Sequence, residues 1–156
     1  MTPFLRRLMA PAPALSPLDA RVALAALLVR LARSDGAYAG TEVARIDAVL
    51  AARYGLAPAD AALLRGEGEE VEAEAPDTVR FTRAIKDAVP FEDRVSVVEA
   101  LWSVALADGA RDDEEAALVR LAAPLLGVSD QDSGLARQRA SARAEAAPDR
   151  PGGPWG

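Results

Sequence analysis

Two short acidic stretches hold the residues of this chain whose types and spacing could do chemistry. Ser34 to Ile46 reads SDGAYAGTEVARI, and Ala107 to Val119 reads ADGARDDEEAALV. Each carries an Asp-Gly pair followed seven residues after the aspartate by a glutamate: Asp35 with Glu42, and Asp108 with Glu115, the second copy adding Asp112. Carboxylate oxygens are hard donors, and gathered in one loop they suit a divalent cation such as Ca²⁺ or Mg²⁺. The candidate metal ligands are therefore Asp35, Glu42, Asp108, Asp112 and Glu115, with the second loop favoured because it holds more carboxylates. A purely architectural use competes with this one. Asp can accept backbone N–H groups in a tight loop, Gly supplies a positive φ, and a Glu in the first turn interacts favourably with a helix N-terminus by about 0.3–1 kcal/mol. An EF-hand does not fit: counting from Asp108, the third position is Ala110, the sixth is Asp113 where Gly is needed, and the twelfth is Val119 where a bidentate Glu is needed.

The rest of the composition narrows the chemistry further. The chain has no Cys and no His. Thiol redox centres, Cys/His zinc sites, imidazole bases and Ser-His-Asp arrangements are all excluded. Carboxylates, hydroxyls, Arg and the single lysine, Lys86, remain. A carboxylate-based, metal-dependent hydrolase, in which a cation activates water and a second carboxylate takes the proton, is the alternative reading. It needs the two loops to converge on one deep pocket, and no substrate-positioning motif accompanies the acids. A non-enzymatic module is the preferred reading. The formal charge of −6 opposes nucleic-acid binding, since a phosphate backbone needs a basic face.

Positioning these loops requires helices. The offset of 73 residues between Asp35 and Asp108 also aligns Gly36 with Gly109 and Glu42 with Glu115, whereas Gly55 and Gly127 align at 72. One residue has therefore been gained or lost inside the second helix of a repeat. Ser16-Pro17-Leu18-Asp19 is a start signal for a first helix carrying Leu24, Leu27, Leu28 and Leu31, with Gly36 as its left-handed end. A second runs from about Thr41 to Gly55 with Val43, Ile46, Val49 and Leu50 on one face. Pro58 opens a third through Ala61, Leu63 and Leu64, weakened at Gly66 and Gly68 by about 1 kcal/mol each. The acidic run Glu67, Glu69, Glu70, Glu72, Glu74 on it reads as a solvated face.

Asp77 can cap a fourth helix carrying Val79, Phe81 and Ile85, and Pro90 separates it from a fifth holding Val95, Val98, Leu101, Trp102 and Leu106. Asp112 and Glu115 form a capping pair for a sixth, with Leu118, Leu121, Ala122 and Leu125 as its core face. Ser129 can cap a seventh, basic and polar enough to lie at an edge. Nothing alternates with the period of a half-buried strand. The expected fold is all-α, a bundle of about seven helices containing two pseudo-repeated helical hairpins. Residues 1–17 read as an amphipathic segment and Pro-rich linker, 18–145 as one helical domain and 146–156 as a loose tail.

Met1 to Ala10 has basic residues but no apolar run of leader length, and Val22 to Val29 is too short to span a bilayer. A cytoplasmic location follows as the expectation, with at most a weak peripheral membrane contact through residues 1–10. Protein partners and oligomeric state are not encoded in any motif; the mixed charges of Arg83, Lys86, Glu92 and Arg94 are a candidate interaction surface.

The doubled pattern of apolar helix, Asp-Gly, Glu and apolar helix resembles the TerB-like tellurite-resistance family. FTRAIKDAVPFEDR from Phe81 to Arg94, followed by VVEALWSVALADG, is similar to its small stand-alone bacterial members. The similarity extends over about Leu18 to Arg137. It implies an all-helical fold, an association with tellurite resistance and stress response, and a divalent-metal role for Asp35, Glu42, Asp108 and Glu115. The first copy departs from the expected pattern at Ala39 and Gly40, where a Ser or Thr cap would stand. Tellurite is itself an oxyanion that carboxylates repel, and its reduction calls for thiols, so direct detoxification is not implied.

Overall fold

A helix with no polar side has to be surrounded, and the chain builds its architecture on one such helix. In the computed structural model, which describes residues 17–34, 38, 40–74, 77–107 and 113–145, this is α1 (Pro17–Arg33). Every residue from Ala23 to Val29 is buried, as are Leu31 and Ala32. Around it lie α2 (Gly40–Tyr54), α3 (Pro58–Glu74), α4 (Val79–Ala88), α5 (Phe91–Ala105) and α6 (Asp113–Leu125), all in contact with α1. α7 (Asp130–Glu145) does not reach α1 and packs on α5 and α6, at the edge where its polar sequence belongs. No strand occurs among the described residues.

Local chemistry explains the boundaries. Gly55 (φ +64°) and Gly127 (φ +76°) end α2 and α6 in the left-handed region that favours glycine. The chain then closes back identically in both places, Leu56 N–H donating to the Ala51 carbonyl at 3.0 Å and Val128 N–H to that of Ala123 at 2.9 Å. The Asp77 carboxylate accepts from the Arg80 N–H at 3.2 Å, and Ser129 Oγ accepts from the Asp132 N–H at 3.1 Å. Both side chains therefore satisfy helix-start N–H groups as the sequence implies. The expected caps at Ser16, Gly36 and Asp112 lie outside the described residues, as do residues 1–16 and the tail from 146.

Burial extends the repeat to a third helix. At the 73-residue offset the buried pairs include Leu24 with Val97, Leu28 with Leu101, Leu31 with Val104 and Ile46 with Val119. At 72 they continue as Ala61 with Ser133, Leu64 with Ala136 and Gly68 with Ala140. The hairpin α1–α2 is echoed by α5–α6, and α3 is echoed by α7.

Three sequence expectations need correction. Leu63 is 67% exposed, Leu121 55% and Val79 42%, so none of the three belongs to the core face of its helix. Gly68 is no mere weak point: a Cβ there would lie 2.6 Å from the Ala25 Cβ and 2.7 Å from the Ala25 carbonyl carbon, so α3 approaches α1 closer than any side chain allows. The acidic run on α3 is only partly a solvated face. Glu72 accepts from Arg30 Nε at 3.1 Å and from Arg33 Nη1 at 2.7 Å, tying α3 to α1.

Candidate functional site

Of the five candidate ligands, Glu42 and Glu115 are described, and Asp35, Asp108 and Asp112 lie outside the described residues. The two glutamates occupy equivalent places. Glu42 is in the first turn of α2 and Glu115 in the first turns of α6, each where its helix emerges from an Asp-Gly loop. Both are buried, at 4% and 2% exposure. A carboxylate out of water is costly unless compensated, and each of these is engaged with neighbouring groups. Burial at both equivalent positions goes beyond the solvated first-turn glutamate that helix-dipole interaction alone would require. The backbones of α2 and α6 do not come into contact with one another among the described residues. Among the described residues, no three carboxylates gather closely enough to hold a metal ion by themselves.

The first loop is anchored by a residue that sequence reasoning passed over. Tyr38 lies between α1 and α2, and its hydroxyl donates to Glu69 Oε2 of α3 at 2.8 Å. The Arg33 guanidinium stacks 4.9 Å from the centre of its ring. Glu69 also receives Arg65 Nη1 at 2.9 Å, while Arg65 Nε donates to Asp47 Oδ1 of α2 at 2.6 Å. The chain Tyr38–Glu69–Arg65–Asp47 thus links the loop to both neighbouring helices. No local periodicity marks such a network, because each member contributes one polar position to a different element.

Its electrostatics follow from the contacts. Burial, then the hydrogen bond to Glu69 and its negative charge, push the Tyr38 hydroxyl from 10.0 up to about 12. Burial alone would raise the Glu69 carboxyl, yet hydrogen bonds from Tyr38 and Arg65 with the nearby Arg charges outweigh it and hold the group below its usual range. The hydrogen bond to Asp47 leads the causes that make Arg65 a still weaker acid than usual. Because Tyr38 loses its proton later in the folded chain, its contribution is complete below pH 10 and is lost as pH rises towards 12. Tyr38→Phe is expected to cost about 1 kcal/mol at pH 7. The variant should also show a shallower loss of stability than wild type between pH 10 and 12. Urea unfolding across that range checks it; an unchanged alkaline slope would count against the network.

A third buried carboxylate, beside Glu42 and Glu115, was missed. Glu99 of α5 is 8% exposed and is shared by Arg139, at 2.7 Å, and Arg143 of α7. The only sequence signal for it is a lone acid inside the apolar run VVEALWSV. Nearby, Trp102 Nε1 donates to Ser133 Oγ at 3.1 Å, so α7 is held to α5 by polar contacts where its apolar content is low. Arg94, one of the charges considered as an interaction surface, donates to the Leu126 carbonyl at 2.9 Å and so closes the end of α6.

A protein-family model described as "Tellurite resistance protein TerB" matches residues 21–138, most of the chain. That span runs from α1 into α7 and includes both Asp-Gly loops. Comparison with curated proteins and with solved structures returned no match.

Proposed function

The chain belongs to the TerB tellurite-resistance family, and from that premise we propose that it is a non-enzymatic helical module whose two Asp-Gly loops each take up a divalent cation. Asp35 with Glu42 would hold the first, and Asp108 with Asp112 and Glu115 the second. The observation that carries this reading is the burial of Glu42 and Glu115 at matched positions of the repeat. The donor set fits the group: with neither Cys nor His in the chain, only oxygen is on offer, which suits Ca²⁺ or Mg²⁺. A cation bound there would neutralise clustered carboxylates and join the end of one helix to the start of the next. Such a module works by presenting a surface to partner proteins in a cytoplasmic stress response, its loops firming when the cation is present.

The hydrolase alternative would need the two Asp-Gly loops to converge on one pocket, and no substrate-positioning motif accompanies the acids. No helix of the described residues is long and apolar enough to cross a membrane.

Calorimetric titration of the full chain with Ca²⁺, Mg²⁺, Mn²⁺ and Zn²⁺ tests the cation reading. Saturable binding of at least one hard cation is expected, with an accompanying rise in Tm, since a ligand that binds only the folded state stabilises it by mass action. The absence of binding by all four would remove the cation from the account.

A further inference from the structure

A groove of about 570 Å³ lies between α2 and α5 and is independent of the Asp-Gly loops. Its size falls within the range of about 300–1,000 Å³ typical of small-molecule sites. The lining divides into two kinds of residue. Ala48 and Ala52 of α2 and Ala100 of α5 leave the space between the helices unfilled and apolar. Arg45 and Arg53 of α2 and Arg143 of α7 line it with positive charge.

Arg45 and Arg53 are not neutralised by the groove itself, whereas Arg143 is paired with Glu99. Arg53 Nη1 donates to Ser96 Oγ at 2.7 Å and Nη2 to the Asp93 carbonyl at 3.3 Å, both uncharged acceptors that fix the guanidinium without cancelling its charge. Ser96 in turn donates to the same carbonyl at 2.7 Å, which sets the direction of its lone pairs. Arg45 is half-buried and makes neither a hydrogen bond nor an ion pair among the described residues. The one acid in the lining, Glu99, is already divided between Arg139 and Arg143. A chain of net charge −6 thus concentrates excess positive charge around an apolar gap.

We propose that this groove binds a small organic oxyanion, a phosphate or carboxylate group carried on an apolar body. The guanidinium forks of Arg45 and Arg53 match the oxygens of either group. The alanine floor takes the apolar body, and the Arg143–Glu99 pair bounds the groove on the α7 side. A bare inorganic anion would leave the floor unused, and a neutral apolar molecule would leave the arginines unused.

The test is titration of the full chain with phenyl phosphate and benzoate, with inorganic phosphate and phenol as comparisons, followed by calorimetry and by amide chemical shifts. One aryl oxyanion is expected to bind at a single site and to shift the amides of Ala48, Ala52 and Ala100. Which of the two binds tighter separates a phosphate ligand from a carboxylate ligand. Inorganic phosphate and phenol should each bind at least tenfold more weakly. Arg45→Gln, which removes no hydrogen bond or ion pair among the described residues, should weaken binding about tenfold with Tm little changed. Arg80→Gln, on exposed α4 surface, should have no effect. The proposal is overturned if neither aryl oxyanion saturates, if Arg45→Gln and Arg53→Gln together keep wild-type affinity, or if inorganic phosphate binds as tightly as its phenyl ester.

Discussion

Replacing Gly68 with alanine is expected to destabilise the bundle, by up to about 2 kcal/mol net, although alanine is the better helix former. Two effects of opposite sign meet at this residue. Within a helix, Gly→Ala gains about 1 kcal/mol from propensity. Against that, the new Cβ would sit 2.6–2.8 Å from Ala25 Cβ, the Ala25 carbonyl carbon and the Ala26 nitrogen. Two of these are backbone atoms of the central helix, so no side-chain rotation relieves the contact. α1 and α3 must separate, and overpacking of this kind typically costs about 1–3 kcal/mol, occasionally more. Gly66, two residues earlier on the same helix, supplies the control, since a Cβ there meets nothing within 4 Å. Gly66→Ala should therefore raise stability by about 1 kcal/mol, or roughly 2–4 °C in Tm for a chain of this size. Paired thermal melts decide the matter: shifts of opposite sign support the close approach of α1 and α3, and two stabilised variants would contradict it.

The second large effect belongs to Leu28. It is fully buried in the stretch of α1 where no side of the helix is exposed. Leu28→Ala removes core volume that the surrounding helices can only partly refill, and a loss of about 2–5 kcal/mol is expected. Leu63→Ala on α3, with the side chain 67% exposed, should change stability by no more than about 0.5 kcal/mol. Denaturant midpoints of the two variants measure the contrast. A Leu28→Ala loss below 1 kcal/mol would mean that α1 is not the hub of the bundle.

These two residues also mark where the sequence is and is not informative. The leucines of α1 recur at helical spacing, so their burial is legible without a structure, as are the stop of α2 at Gly55, its alignment with Gly127 and the polar starts at Asp77 and Ser129. Gly68 gave no such sign. A glycine inside a helix looks like a local weakness until the partner helix is known, because close approach is a property of two elements. The echo of α3 by α7 was hidden for a related reason: Gly68 and Ala61 are answered by Ala140 and Ser133, which share small size but not hydropathy. Leu63 and Leu121 misled in the other direction, since the apolar residues of this chain outnumber its core positions.

Candidate-site legibility divides along the same line. The matched spacing of Glu42 and Glu115 was visible because both lie on one repeated segment. Their burial was not visible, since a first-turn glutamate is ordinarily solvated. The Tyr38–Glu69–Arg65–Asp47 network and the arginine groove draw single residues from two or three elements each. Contacts of that kind leave no period in the sequence.

The most direct test of the cation reading is a Ca²⁺ titration of the ¹⁵N-labelled full chain, repeated on Asp108→Asn. The account predicts saturable shifts in two clusters, around residues 35–42 and 108–115, with the second cluster lost in the variant and the first retained. Shifts confined to the acidic run of α3, or no saturable shift at either loop, would contradict it.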